Sequence, residues 1–385
     1  MEQDNFYMIA KTMYGLEEVL ANELKMLGAQ KIKIFNRAVS FKGDTGFLYK
    51  VNLNLRTALR VLKPIQHFQA NDEKDLYRKL CLIDWTSIFK LDKTFSTSAS
   101  TNSTSFPHSK YASLVLKDAI VDTFRKKFKK RPNIDPKNSD IKFDIHINKN
   151  TCTVSLDSSG QSLHKRGYKI ESVPAPINEV LAAGIILLSN WDKKANFHDP
   201  MCGSGTILIE AALIAHNIPA NIFRKKFCFQ HWNDYDQNLW EKIKDVSLNK
   251  ETNYNGKITG ADICLKSIST SRKNVKNALF ENNIKIYKEN FFTSIVPKKT
   301  FILFNPPYGE RLNINISDFY AKIGTTLKHN CVDTIVCLIS SDLDNIKYIG
   351  LRPQKKIKLF NGPLECSLRK FEIYDGSKKK NLIRF

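Results

Sequence analysis

Through the first 160 residues, short apolar–polar alternations are interleaved with stretches in which apolar residues recur at helical spacing. Phe6–Thr12 reads as a strand, and Leu16–Leu27 as a helix that stops at Gly28. Lys31–Lys42 has the pattern of a hairpin, followed by a helix near Phe47–Leu55, a strand near Val61–Phe68 and a helix over Glu73–Leu82. Thr94–Ser100 suits a strand, and Lys110–Phe128 a long helix running into the basic segment Arg125–Arg131, read as a solvated helix end or an RNA contact. Two alternating strands, Ile141–Asn148 and Thr151–Leu156, close this half. Strands and helices mixed without a steady β-α-β alternation predict small α+β layers.

The rhythm changes after a junction rich in glycine, proline and polar residues, Gly160–Pro176. Strand, loop and helix then repeat, with strands at Asn196–Asp199, Ile258–Asp262, Ile284–Asn290, Phe301–Phe304 and Thr334–Ser340. This is the pattern of a doubly wound, mostly parallel sheet. Lys355–Phe360 and Leu368–Tyr374 predict an antiparallel pair at its end. The expected division is a module over 1–60, a second over 61–160, a linker over 161–176 and the sheet domain over 177–385.

Composition narrows the function. The 385 residues carry a formal charge of +22, with 29 basic against 17 acidic residues in positions 1–170 and 31 against 21 beyond. An excess in both halves points to one extended polyanion, since basic surface gains affinity by releasing counterions from phosphates. The longest apolar run, Val180–Leu188, is too short to span a bilayer, and the acidic N-terminus lacks the charge of a targeting peptide. A cytoplasmic protein without membrane or metal partners is expected. The eight cysteines include no C-x-x-C pair and read as small buried residues.

Four segments carry candidate chemistry. Asp199-Pro200-Met201-Cys202-Gly203-Ser204-Gly205-Thr206 joins a predicted strand to a helix through a glycine turn. No lysine follows, as a phosphate loop requires. An acid before the glycines suits a cationic ligand, and a sulfonium cofactor with an amino group fits that charge, although an ordinary tight turn has the same glycines. Asp262 ends a strand 59 residues beyond Gly203, at the sheet edge where an acid takes ribose hydroxyls, so residues 217–256 form an insertion. Asn290 and Phe291 end another strand, with an adenine contact or core packing as their two readings. In Phe304-Asn305-Pro306-Pro307-Tyr308-Gly309 the prolines fix the backbone and hold Asn305 extended. Its side-chain carbonyl and its neighbour's backbone carbonyl can accept from both hydrogens of a planar base amine and aim its lone pair, while Tyr308 stacks on an extruded base. His164, Arg166 and Tyr168 in the junction are structural or touch phosphate, and His198 reads as an ordinary strand residue.

These motifs, with Leu53–Ala58, Gly160–Tyr168 and Pro174–Ala183, resemble the THUMP-containing RNA methyltransferases, and among them the large-subunit ribosomal RNA guanine-N2 methyltransferases. The resemblance implies a ferredoxin-like piece, a THUMP RNA-binding domain and a Rossmann-like class I methyltransferase domain with a seven-stranded, mostly parallel sheet. It implies S-adenosyl-L-methionine as cofactor and 23S ribosomal RNA or its assembly precursor as partner. Asp199, Cys202, Gly203, Ser204, Gly205 and Thr206 would line the cofactor, Asp262 its ribose, and Asn290 and Phe291 its adenine. Pro176 and Asn178 would lie beside its methionine part, and Asn305, Pro306, Pro307 and Tyr308 would grip the target base. Asn290 stands where many members of that family carry aspartate, which sets the adenine contact apart from the family's pattern. Some relatives add a second methyltransferase domain; here one domain and one reaction are expected. A transfer RNA guanine-N2 enzyme, DNA adenine-N6 and protein glutamine-N5 enzymes sharing Asn-Pro-Pro-Tyr, and a non-catalytic RNA-binding assembly factor remain the rivals.

Overall fold

The computed structural model describes residues 5–174, 176–307 and 315–376. It divides into two units, one comprising Met1–Thr12, Leu20–Lys165 and Arg224–Ser247, the other Met13–Val19, Arg166–Phe223 and Leu248–Phe385.

The first unit is built on one seven-stranded sheet. Its strands are β1 (Phe6–Thr12), β2 (Gln30–Phe35), β3 (Ala38–Gly43), β4 (Ala58–Gln69), β5 (Phe95–Asn102), β6 (Ile141–Asn148) and β7 (Thr151–Asp157), in the order β2-β3-β1-β4-β7-β6-β5. Helices α1 (Glu17–Leu27) and α2 (Thr45–Asn54) complete a β-α-β-β-α-β set, and α3 (Glu73–Leu80), α4 (Trp85–Ile88) and α5 (Ser109–Phe128) follow. Asp44 and Asp72 cap α2 and α3 by accepting from the third amide beyond each, at 2.7 and 2.8 Å. The α+β layers expected from the sequence are thus one continuous sheet. The joint is β4: Ala58–Leu62 pairs with β1, and Leu62–Gln69 with β7. The expected division at residue 60 falls inside this strand. Behind it, Phe89 packs on Phe124 at 4.8 Å and Trp85 on Phe143 at 5.1 Å.

Residues 224–247, from within the insertion, complete the same unit. The Arg224 guanidinium donates to four carbonyls of the 159–165 segment, those of Ser159, Gln161, Ser162 and Lys165, at 2.8–3.1 Å. Tyr49 stacks on Phe229 at 4.5 Å and meets Trp240 edge-on at 6.2 Å. A fragment beginning at Glu171 is therefore expected to aggregate, because Phe227, Phe229 and Trp240 lose the partners that bury them. A monodisperse monomer of that fragment on size-exclusion chromatography would refute this.

The second unit holds β8 (Asn196–Asp199), β9 (Ile258–Asp262), β10 (Ile284–Lys288), β11 (Thr300–Phe304), β12 (Thr334–Ser340), β13 (Lys355–Asn361) and β14 (Leu364–Ile373), in the order β10-β9-β8-β11-β12-β14-β13. All neighbours are parallel except those of β14, which is antiparallel to both β12 and β13. The seven-stranded, mostly parallel sheet expected above is the one found. Its helices are α6 (Glu179–Leu188), α7 (Thr206–Ala215), α9 (Leu265–Asn277) and α10 (Ile316–Asn330); α8 (Gln237–Leu248) lies within the insertion and, but for Leu248, in the first unit. Helix α7 is buried on every side, including Glu210. That carboxylate accepts from the Tyr168 hydroxyl at 2.9 Å and from Arg166 Nε at 3.3 Å, in a fully buried pair. Arg166 and Tyr168 are thus structural, the first of the two readings of the junction. No helix among the described residues is long and apolar enough to cross a membrane.

Candidate active site

The order of strands reverses between β8 and β11, and the crevice at such a switch point lies at the carboxyl ends of parallel strands. Four of the motifs end there: Asp199 on β8, Asp262 on β9, Asn290 just past β10, and Asn305 just past β11.

The glycine turn is shaped by its neighbours. Gly203 and Gly205 have φ of +54° and +79°, a conformation that side chains disfavour. A Cβ on Gly205 would stand 2.5 Å from Ser271 Oγ. Gly260 lies beneath the turn, where a Cβ would strike Leu208 at 2.3 Å. The Cys202 amide donates to the Ala261 carbonyl at 2.9 Å, and the Gly203 amide to Asp262 Oδ2 at 3.0 Å. Cys202, Ser204 and Thr206 are buried, and burial pushes the Cys202 thiol well up. These three build the turn, while the half-buried backbone of Gly203 leaves a cradle.

Asp199 is fully buried and accepts from the Met201 amide at 3.1 Å. Burial, and next the Asp262 charge, push its carboxyl well above the usual range. Asp262 also accepts from the Cys264 amide at 2.9 Å, which fixes its carboxylate plane. The pair sets negative potential behind a backbone cradle, with carboxylate acceptors that fit a cationic ligand bearing a vicinal diol.

The other residues differ in how far they are committed. The Asn178 side chain caps α6, accepting from Val180 and Leu181 amides at 2.9 and 3.4 Å, and Pro176 is half-buried. Asn290 accepts from the Phe292 amide at 3.1 Å and keeps its amide group at a half-buried edge. Phe291 is buried against Phe304 and Phe292, with ring centroids at 5.5 and 5.9 Å. Asn305 and Pro307 are half-buried and Pro306 is buried. Among the described residues no hydrogen bond occupies the Asn305 side chain. Tyr308 lies outside the described residues.

Three participants were not read from the sequence. Asn274, fully buried on α9, accepts from the Ile170 and Glu171 amides at 3.0 and 3.2 Å and donates to the Glu171 and Ser204 carbonyls, each at 2.9 Å. It thereby ties the junction to the glycine turn. Ser271, also buried, backs Gly205. Ile263, beside Asp262, is 63% exposed and offers an apolar surface at the same edge. Only the last carries a sequence signal, an apolar residue following the strand-end acid.

His198 is buried, shares a 2.9 Å hydrogen bond with Thr259, and titrates at about 4 because burial disfavours its charged form. It is neutral in the folded protein, in line with an ordinary strand residue. A depressed folded-state pKa means that the unfolded chain takes up the proton first as pH falls. Stability tied to His198 is therefore complete above about pH 6.5 and falls as pH drops towards 4, by about 3 kcal/mol in all. His198→Gln is expected to flatten that acid limb in thermal melts; parallel limbs for variant and parent would refute this.

Comparison with known proteins agrees with this geometry. The RMKL-like methyltransferase domain family matches residues 166–370, after an RlmL ferredoxin-like domain at 7–62 and a THUMP domain at 70–157. The candidate RNA methyltransferase slr0064 of Synechocystis sp. is 35% identical over 364 residues, covering 94% of this chain and 95% of that protein. The chain belongs to the RMKL-like methyltransferase family. Ribosomal RNA large subunit methyltransferase K/L of Psychromonas ingrahamii is 36% identical to this RMKL-like chain over 372 residues, 94% of it and 49% of that protein. The chain thus spans about half the length of that relative. SMU.472, a candidate methyltransferase solved in complex with SAH, superposes with a TM-score of 0.85 at 30% identity, covering 98% of this chain and 100% of that one. The methyltransferase fold and the ferredoxin-like and THUMP modules expected from the sequence are those of this family.

Proposed function

We propose that the chain transfers a methyl group from S-adenosyl-L-methionine to the exocyclic N2 of a guanine in 23S ribosomal RNA or its assembly precursor, in the cytoplasm. The observation that carries this reading is the meeting of Asp199, Gly203 and Asp262 with Asn305-Pro306-Pro307 at one switch point, in a chain that also bears a THUMP domain. When bound, the cofactor supplies an electrophilic methyl group. Asp199 provides negative potential for its cationic end, the Gly203–Thr206 turn its cradle, and Asp262 acceptors for its ribose. Asn290 takes the adenine amine, Ile263 and Phe291 line the adenine side, and Pro176 and Asn178 border the methionine part. Asn305 and the Pro306 carbonyl accept from the two amine hydrogens, Pro307 keeps that carbonyl in place, and Tyr308 stacks on the flipped base. Division into modules over 1–60 and 61–160, a linker and a catalytic domain over 177–385 belongs to the same proposal.

Nucleoside mass spectrometry on size-separated RNAs from a deletion strain tests it. N2-methylguanosine should fall in large-subunit RNA and return with the wild-type chain. A loss confined to transfer RNA would overturn the ribosomal substrate, and N6-methyladenosine as product would overturn the base.

A further inference from the structure

The face of β1, β2 and β3 turned to solvent carries chemistry that methyl transfer does not use. The inner face of these strands is fully buried through Met8, Ala10, Val39 and Phe41. Alternation puts Tyr7, Ile9 and Lys11 of β1, Ser40 and Lys42 of β3, and Lys33 and Phe35 of β2 on the outer face. The register lines them up: Tyr7 lies opposite Lys42, Ile9 opposite Ser40 opposite Lys33, and Lys11 opposite Ala38 opposite Phe35. Tyr7 and Phe35 are 51% and 47% exposed, although each is large enough to be worth burying. Each also has an ammonium over its ring, Lys42 at 5.3 Å and Lys33 at 5.2 Å. Among the described residues no carboxylate pairs with Lys11, Lys33 or Lys42; the nearby Arg60 is instead held by Asp157. The face is therefore cationic, with two exposed rings about 16 Å apart across the sheet grid.

We propose that this face binds unpaired RNA, with Tyr7 and Phe35 stacking on two bases of one strand and Lys11, Lys33 and Lys42 pairing with its phosphates. Charge complementarity selects a polyanion, and the exposed rings select one whose bases are free to stack, since a duplex hides its base faces. A rigid sheet presents both rings at no ordering cost, and the β-α-β-β-α-β set with order β2-β3-β1-β4 leaves this side uncovered by its own helices. The inference goes beyond the proposed reaction and stands without it, because it concerns a surface of the first unit alone.

The test is fluorescence anisotropy on the full chain with an unstructured, labelled oligoribonucleotide and a duplex of equal length, without cofactor. Stacking is worth about 1–3 kcal/mol per base, so each alanine should weaken single-strand binding about fivefold or more. Tyr7→Ala combined with Phe35→Ala should therefore lose at least about 25-fold for the single strand and little for the duplex. Tyr7→Phe with Phe35→Tyr should restore binding. Unchanged single-strand affinity, or equal losses for both probes, would overturn the proposal. Photo-cross-linking of the unmodified chain to a thiouridine-bearing probe gives a readout free of folding defects. Adducts on peptides containing Tyr7 or Phe35 support it, and adducts confined elsewhere overturn it. Cofactor affinity, measured separately, reports on the methyl-transfer reading, so the two can fail independently.

Discussion

Asp262→Ala is expected to weaken S-adenosylmethionine binding by about 10- to 150-fold, equivalent to about 1.5–3 kcal/mol for a lost charge-assisted contact. The carboxylate has two internal tasks besides its proposed ribose contact, accepting from the Gly203 amide at 3.0 Å and the Cys264 amide at 2.9 Å. Alanine removes all of these at once, so the glycine turn loses its side-chain anchor to β9, keeping only the Cys202–Ala261 backbone bond, while the ligand loses its acceptors. Asp262→Asn keeps one oxygen acceptor in place of two and should fall between alanine and the parent. The Asp199 carboxyl, pushed up partly by the Asp262 charge, should relax towards its ordinary range in either variant. Titration calorimetry gives the affinities directly. Cofactor binding by Asp262→Ala within twofold of the parent would remove this residue from the ribose site.

Why the acids and glycines were legible and their supports were not follows from what local pattern encodes. An acid at a strand's end, glycines before a helix and prolines that fix a turn are local devices, so Asp199, Gly203, Gly205, Asp262 and Asn305 could be placed from spacing alone. The strands carrying them came out to within a residue, while β10, which carries none of them, ends at Lys288 rather than Asn290. Asn274 could not be placed this way: its four bonds reach residues 70 to 104 positions away, and a buried asparagine on a helix has no sequence mark. The Arg166–Glu210 pair hid for the same reason, being joined across 44 positions. Phe291 shows the opposite limit. Its place beside Asn290 suggested a ligand contact or core packing, and only tertiary structure puts it against Phe304. Residues 217–256 were legible as an insertion, but the attachment of 224–247 to the first unit depends on Arg224 and on Tyr49, which pattern does not connect.

Asn305→Ala should do the reverse of Asp262→Ala, leaving cofactor affinity near that of the parent and lowering kcat by about 10²–10³-fold, the scale of one lost preorganised polar contact. Strand β11 is buried along its whole length between β8 and β12, so the position where Asn305 emerges is rigid. Pro306 and Pro307 extend that rigidity past the strand. A base amine is nearly planar and a poor nucleophile; two acceptors on its hydrogens become more favourable as nitrogen turns pyramidal and bonds to the methyl carbon. An interaction that strengthens on the way to the transition state appears in kcat more than in binding. Asn305→Asp separates acceptor geometry from charge: it keeps an oxygen for the amine but adds a further negative charge to those of Asp199 and Asp262. Single-turnover rates with saturating RNA and cofactor isolate the chemical step. If Asn305→Ala retains a rate within about threefold of the parent, the amine is held by other groups and the proposed mechanism loses its central residue. If the rate is unchanged but RNA affinity collapses, Asn305 binds substrate without aiding the chemistry.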